Sequence, residues 1–202
     1  ANLSTLLFAS YLGGSGNDAA YVLSLGPTGD IYVGGGTESS NFTFPGSQAG
    51  TVGPANHGNA STSLIDGFVA RISNTGNTLI KSTYIGTSGI DQVFGIKFDN
   101  LGFPYIMGQT TGTWTPVNAT YSNVGGKQFI AKLQPDLSAF VYSTMFGTNS
   151  PTPNISPIAF LVDRCENVYI SGWGGFYDNS NPFGSSGTGG LPVTPDAIKS
   201  FT

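Results

Sequence analysis

Three sequence motifs recur along this chain in a fixed order, and no other feature limits its fold as strongly. The first motif, FASYLGGSGND at 8–18, returns as KSTYIGTSGID at 81–91 and in shortened form as YSTMFGT at 142–148. The other two motifs occur as GDIYVGG at 29–35, GFPYIMG at 102–108 and ENVYISG at 166–172, and as DGFVARI at 66–72 and KQFIAKL at 127–133. Because the order never changes, one structural unit is repeated almost three times.

The length of the repeat indicates the kind of unit. The matching tyrosines, Tyr32, Tyr105 and Tyr169, are separated by 73 and 64 residues. This spacing is near that of a four-stranded propeller blade and is too long for most solenoid repeats. The sequence therefore predicts an all-β fold, a β-propeller segment of about three four-stranded antiparallel blades. Because propellers have four or more blades, we expect this segment to be part of a larger propeller.

Each unit contains up to four runs of β-branched and aromatic residues, bounded by Gly, Asn, Asp or Pro, which we label strands a to d. The units are predicted to span 1–73, 74–134 and 135–202, and the third lacks strand d. In chain order the predicted strands are 6–12, 20–25, 31–35 and 67–72; 79–85, 94–99, 105–108 and 128–133; and 140–146, 158–163 and 168–173. No window shows the apolar spacing of a helix, so helix content should be very low.

The connections between strands sort into two ends of each sheet. In an up-and-down meander, successive connections alternate between the ends. The b–c and d–a connections are short turns, whereas the c–d loops are long, spanning roughly 36–66, 109–126 and 174 onward. We therefore expect a plain end with turns only, and a loop end at which the a–b and c–d loops meet. Function is expected at the loop end.

Composition and charge exclude several classes of partner. The chain has 202 residues, 39% of them hydrophobic, which suffices to bury a core. The net charge of -4, from 11 acids and 7 bases, offers no basic surface for nucleic acid. No apolar run approaches the roughly 20 residues of a membrane span. We expect neither nucleic acid nor a membrane span among the contacts of this chain.

The single cysteine and the single histidine limit redox and catalytic chemistry. Cys165 cannot form a disulfide within the chain, so we expect a buried inert thiol or, alternatively, a bridge to sequence outside this chain. His57 lies in a polar stretch that is typical of a solvated loop. Because His57 is the only histidine and lies in such a stretch, we expect neither a His-based catalytic triad nor a multi-histidine metal site.

Laid out in this way, almost the whole chain resembles the bacterial β-propeller repeat family known as SBBP. Its units read approximately YSTYLGGSGDD, GNVYVTG and DAFVAKL, and the segment LPVTPDAIK at 191–199 is similar to the stretch that leads into the last strand. The third copy, DRCENVYISGWGG at 163–175, resembles blades of large secreted surface proteins of Bacteroidota, including proteins linked to gliding motility and type IX secretion. The resemblance implies an extracellular or cell-surface location, a scaffold or adhesion role without catalysis, and flanking blades or domains of the same polypeptide as partners.

Two aspartates are weak candidates for calcium. GGSGNDAA at 13–20 fits part of a calcium-binding nonapeptide pattern, and Asp18 and Asp91 occupy the same position in their motifs. Calcium needs about six to eight oxygen ligands, which adjacent nine-residue repeats would supply, and no such adjacent repeat is present. The alternative is that both carboxylates accept backbone N–H groups in a Gly-rich turn. The favoured expectation is no cofactor and no metal.

The remaining candidate chemistry divides into acids and aromatic rings. A carbohydrate-active hydrolase would need two carboxylates about 5 to 10 Å apart, and Asp18, Asp66 and Asp91 are all expected near the loop end. Rings in or beside the c–d loops could instead stack on a sugar or anchor a protein, the alternative being that they cap the core. The predicted ligand-binding residues are Trp114, Tyr121, Trp173, Phe176 and Tyr177. We expect no catalytic residues, and the hydrolase is the alternative.

Overall fold

The structure, a computed structural model, describes residues 4–6, 8–42, 49–52, 65–174 and 188–199. These residues contain eleven strands and no helix, so the predicted all-β class is confirmed. The strands are β1 (Asp18–Leu25), β2 (Ile31–Thr37), β3 (Ala49–Val52), β4 (Asp66–Ile72), β5 (Leu79–Ile85), β6 (Asp91–Phe98), β7 (Pro104–Thr110), β8 (Gln128–Leu133), β9 (Phe140–Phe146), β10 (Ile155–Val162) and β11 (Val168–Gly174).

The strands form three sheets. The first has the order β1-β2-β4-β5-β3, the second β6-β7-β8-β9, and the third β10-β11. All neighbours are antiparallel except β3, which pairs in parallel with β5. The prediction of purely antiparallel four-stranded sheets was therefore wrong for the first sheet, because its c–d loop returns and adds a strand at the outer edge. Within the described residues, no pairing closes the three sheets into a ring.

The sheets are offset by one strand from the sequence units 1–73, 74–134 and 135–202. β5 belongs to the second unit but pairs with β4, and β9 of the third unit pairs with β8. The d–a turns are short, and a short turn joins its two flanking strands as an antiparallel hairpin. The predicted strand a at 6–12 is not a strand over its described residues. The described residues include no strand d ahead of it with which it could pair, and the ring of Phe8 instead packs over Gly76.

The first two strands of every sheet share a β-bulge at the same place. The register shifts between Ala20 and Val22, Val93 and Gly95, and Pro157 and Ala159. A glycine of the neighbouring strand faces each bulge. A Cβ atom on Gly35 would overlap the carbonyl oxygen of Ala19, and one on Gly108 would overlap that of Gln92. The glycine that ends the second sequence motif is thus required by a close backbone approach.

The predicted equivalence of the repeated aromatic residues is confirmed by strand register. Tyr32, Tyr105 and Tyr169 each pair with the penultimate residue of the strand before them. Phe68 and Phe129 each pair with the glycine at the bulge. Each repeat therefore solves the same packing problem with the same residues, and the differences in length fall in the loops.

The three sheets pack face to face. Residues of the first and second sheets share one buried cluster, which includes Tyr32, Ile96 and Leu133, and residues of the second and third share another. The two outer faces of this stack expose apolar side chains. Leu23 and Leu25 of the first sheet are each 64% exposed, and Leu161 and Tyr169 of the third are 54% and 53% exposed. These two faces are apolar on the side where a neighbouring sheet would pack.

Among the described residues, no helix is long and apolar enough to cross a membrane.

Cys165 is exposed in the turn between β10 and β11, so the expectation of a buried thiol was wrong. The turn projects from the plain end, and its backbone is held by Asp163, whose Oδ1 accepts the N–H groups of Cys165 and Asn167.

Candidate functional site

The a–b and c–d loops meet at one end of the sheets, as the alternation of connections predicted. In the first sheet, the backbone N–H of Ser15 donates to Asn41 Oδ1 at 2.8 Å. In the second, the N–H of Ile90 donates to Thr111 Oγ1, also at 2.8 Å. The loops therefore form a continuous loop end, and the candidate residues can be compared on it.

Asp18 and Asp91 hold the Gly-rich a–b loops, and a third residue does the same work. Asn154, directly before β10, occupies the corresponding place in the third sheet, although its loop lacks the Gly-Asp pattern. Each side chain accepts a backbone N–H from the start of its own loop; the donors are Gly14, Thr87 and Thr148, at 2.8, 2.7 and 2.6 Å. An amide oxygen thus replaces a carboxylate oxygen, so the position requires a hydrogen-bond acceptor and does not require a charge.

The acids do not assemble into a recognisable metal centre. Asp18 also accepts hydrogen bonds from the hydroxyls of Thr37 and Ser39, so its oxygens already have protein donors. Asp18 and Asp91 begin strands in different sheets. The described part of the chain has no group of three or more His, Cys, Asp or Glu side chains that could hold a metal ion. These contacts support the alternative in which the carboxylates hold a turn.

Two acids nevertheless converge. A Cβ atom placed on Gly86 would lie 2.8 Å from Asp91 Oδ2 and 3.0 Å from Asp66 Oδ1, so both carboxylates border the same small space. Burial raises the pKa of Asp91 to about 6; hydrogen bonds from Thr110 and Thr87 oppose this shift, and the neighbouring charge of Asp66 adds to it. Asp91 is fully buried and Asp66 is 1% exposed, so a substrate cannot reach either carboxylate in this structure.

Trp114 is a core residue, contrary to its assignment to ligand binding. It is 4% exposed, and its ring stacks on Phe129 with the centroids 4.3 Å apart. Its Nε1–H donates to Ser143 Oγ at 3.1 Å. Phe42 in the first c–d loop makes the corresponding contact with Phe68, at 4.4 Å. The first aromatic residue of each of these loops therefore covers the aromatic residue of strand d, because the core is open at the loop end.

The other predicted rings differ in accessibility. Tyr121 is 59% exposed and lies in the second c–d loop. Trp173 is half-buried near the end of β11. Phe176 and Tyr177 lie outside the described residues, as does His57. Tyr121 is thus the exposed aromatic candidate in the described part of the loop end.

The c–d loops of the first and second sheets run beside β5 and β9, the strands that follow β4 and β8. In the first sheet, β3 pairs with β5. In the second, Val117 forms an isolated bridge with Ser143, and the N–H of Asn123 donates to the carbonyl of Met145 at 2.9 Å. An exposed strand edge invites pairing with another chain, so these loops protect the edge. This role places Tyr121 on a backbone that is anchored to β9.

The plain end carries a set of contacts that the sequence did not predict. Lys132 Nζ lies 2.7 Å from Asp99 Oδ2 and 2.8 Å from Glu166 Oε2, and Tyr105 donates to the same Glu166 oxygen at 2.5 Å. Burial works against the charge on Lys132, but its ion pairs with Asp99 and Glu166 raise its pKa. Glu166 has a positive φ of 64°, in a turn position where the other two copies have glycine. These groups connect the second sheet to the turn of the third.

The first sheet contains the matching pair. Arg71 Nη2 lies 2.6 Å from Asp30 Oδ2, and this hydrogen bond lowers the pKa of Asp30. The guanidinium carbon is 5.7 Å from the centre of the Tyr32 ring. Arg71 and Lys132 stand at the same position of the third motif, which was the available sequence signal for this contact. Both groups join strands and neighbouring sheets, since Arg71 also donates to the carbonyl of Pro135.

A scan against models of known protein families found no match, and a search of the curated proteins found none.

Proposed function

We propose that this chain is a non-enzymatic β-propeller segment of an extracellular or cell-surface bacterial protein, a scaffold that contacts glycan or protein through its loop end. The observation that carries the proposal is the repeated use of Asp18, Asp91 and Asn154 as turn acceptors. Residues that a catalytic or calcium-dependent function would need are engaged in holding the loops. The resemblance of the three motifs to the SBBP repeat supports the location and the propeller architecture.

Tyr121 is the residue from which ligand contact at the loop end is best tested. Its ring is exposed, and its carbonyl accepts the hydroxyl of Thr144, which anchors the loop to β9. Val124, which is 60% exposed, and the exposed Asn118 lie in the same loop. A ring with apolar and amide neighbours on a held backbone suits the face of a sugar or a protein side chain, since little order is lost on binding.

The test is a glycan and surface-protein binding screen with the intact chain and two variants. Tyr121→Ala should weaken any binding at least about tenfold, which corresponds to 1.4 kcal/mol. Tyr11→Ala is the matched control, because Tyr11 is 97% exposed but is not part of a c–d loop. Chelator should leave binding unchanged. Binding that is equally sensitive to both tyrosines, or that requires calcium, would contradict the proposal.

A carbohydrate-active hydrolase is the second candidate, and the convergence of Asp66 and Asp91 at Gly86 is the observation in its favour. The burial of both carboxylates is the argument against it. Incubation of the chain with bacterial and host polysaccharides, followed by analysis of released sugars, separates the two functions. Release that is lost in both Asp66→Asn and Asp91→Asn, while both variants keep the far-UV spectrum of the parent, would establish the hydrolase.

A further inference from the structure

The edge of β11 that faces away from β10 has the features of a binding site for one particular kind of strand. In the first two sheets, the strand corresponding to β11 pairs with a strand of the third sequence motif. β2 pairs with β4 and β7 pairs with β8. In the described part of the chain, the hydrogen-bonded neighbour of β11 is β10 alone. The first two sheets therefore show which kind of strand fits beside β11.

Two positions on β11 match the receptor strands. Tyr32 and Gly35 pair with Arg71 and Phe68, and Tyr105 and Gly108 pair with Lys132 and Phe129. In each sheet, a cation faces the tyrosine and an aromatic ring faces the glycine three residues later. β11 presents Tyr169 and Gly172 at the same spacing and in the same register with its inner neighbour. A bound strand would thus place a cation beside Tyr169 and a ring beside Gly172.

The acid that would bind the cation is also in place. Asp99 holds the turn after β6 through its Oδ1 and binds Lys132 through its Oδ2, at 2.7 Å. Asp163 holds the turn after β10 in the same way through its Oδ1. Its Oδ2 instead accepts hydrogen bonds from Asn167 Nδ2 and Tyr169, at 3.0 and 3.1 Å. The partly exposed carboxylate of Asp163 lies at the point where Asp99 of the second sheet binds the head group of Lys132.

From these three matches we infer that the β11 edge binds an extended segment carrying an aromatic residue and, three residues later, a lysine or arginine, as in FVAR and FIAK. The segment runs antiparallel to β11. Its ring lies over Gly172, where no Cβ occupies the space, and its cation lies between Asp163 and Tyr169. The occupant is a further strand of the same repeat motif, because both complete sheets of this chain seat that motif on the equivalent edge.

This binding extends the proposed function but does not depend on ligand contact at Tyr121. The repeat architecture is the part of the proposal on which it rests. Since Tyr121 is in the second sheet and β11 in the third, Tyr121→Ala should leave strand binding unchanged. Failure of the loop-end screen and failure of strand binding are therefore separate results.

The test uses the intact chain and a capped synthetic peptide with the sequence of residues 126–134, GKQFIAKLQ. Titration followed by amide hydrogen exchange should show slower exchange in β11, with the strongest protection on the edge turned away from β10. Peptides with Lys132→Glu or with Phe129→Ala should bind at least about tenfold more weakly, because each removes one of the two anchoring contacts. A scrambled peptide is the composition control.

A substitution in the chain checks the ion pair. Asp163→Asn keeps the Oδ1 acceptor that holds the turn but removes the charge, so it should weaken the parent peptide about tenfold. The same variant should not weaken a peptide with Lys132→Met, since that peptide has no cation to lose. If the losses of binding free energy from Asp163→Asn in the chain and Lys132→Met in the peptide add up to the loss seen when both are changed, the carboxylate and the cation do not interact.

The inference is overturned if the peptide binds no more tightly than its scrambled form. It is also overturned if protection appears in β1 or around Leu12 rather than in β11. Because the decisive changes in Phe129 and Lys132 are made in the peptide, a chain variant that fails to fold does not affect the outcome.

Discussion

At the residue scale, one acceptor position in three copies explains most of the polar chemistry of the loop end. Asp18, Asp91 and Asn154 fix the start of the a–b loop by the same hydrogen bond. The surroundings determine the cost of a charge there. Asp91 is buried beside Asp66, whereas Asn154 performs the same task as a neutral amide.

Asp91→Asn should therefore change the dependence of stability on pH. The pKa of Asp91 is raised from 3.8 to about 6 in the folded chain, so its contribution favours folding below pH 4 and is lost as the pH rises through 6. The variant has no carboxylate to bury, so its free energy of unfolding, relative to that of the parent, should increase by about 1–3 kcal/mol between pH 4.5 and pH 7.5. Urea unfolding at both pH values measures the difference.

The reverse substitution is the companion measurement. Asn154→Asp places a carboxyl group at a position that is 2% exposed, and it should destabilise the chain more at pH 7.5 than at pH 4.5. A parent chain whose stability rises relative to Asp91→Asn over this interval would show that the buried carboxylate is not penalised.

At the scale of strands, the repeated bulge determines which residues the second motif accepts. The bulge brings the backbone of the first strand against the second, and the glycine there has no room for a side chain. The resulting geometry also aligns the tyrosine three residues earlier with its cation. The sheet, the bulge and the tyrosine contact are therefore specified together by a seven-residue motif.

Gly108→Ala should destabilise the chain by about 2–4 kcal/mol, because a Cβ atom would overlap the Gln92 carbonyl and the Phe129 ring. Gly189→Ala is the matched control. A Cβ at that position meets nothing within 4 Å, so its effect should stay within about 0.5 kcal/mol. Thermal and urea unfolding of both variants provide the comparison, and equal effects would argue against the close approach.

Sequence reasoning recovered what depends on local pattern and missed what depends on long-range contact. Runs of β-branched and aromatic residues between turn residues located ten of the eleven strands, and the motif alignment correctly matched Tyr32 with Tyr105. The parallel strand β3 could not be predicted, because a four-residue segment in a long loop gains its strand geometry from β5. Trp114 was misassigned because the sequence of a loop does not show whether an aromatic side chain faces solvent or packs on a core residue such as Phe129.

At the scale of the whole molecule, the stack of sheets ends in two apolar faces. One exposes Leu23 and Leu25, and the other exposes Leu161 and Tyr169. The corresponding faces inside the stack are covered, and Tyr32 and Tyr105 are 3% and 0% exposed. The two bare faces are the opposite halves of an interface that the chain already forms twice.

The isolated chain should therefore self-associate. Sedimentation at increasing concentration should show oligomers, and Leu23→Lys combined with Leu161→Lys should shift the chain towards the monomer. Leu101→Lys is the control, since Leu101 is 76% exposed in a turn and lies on neither face. A parent chain that remains a monodisperse monomer at about 100 μM, a concentration at which exposed apolar faces ordinarily associate, would contradict this prediction.

The one-strand offset between sequence units and sheets also determines how the molecule would respond to tension. The chain enters the first sheet at the start of its edge strand β1 and passes to the second sheet from the end of β5. Both points lie at the loop end with β2 and β4 between them, so a pull along the chain acts across the strands. The hydrogen bonds between neighbouring strands would then break one after another, whereas a pull along the strands would load them all together in shear. We therefore expect each sheet to open at a lower force than a sheet pulled in shear, and to lengthen the chain as it opens.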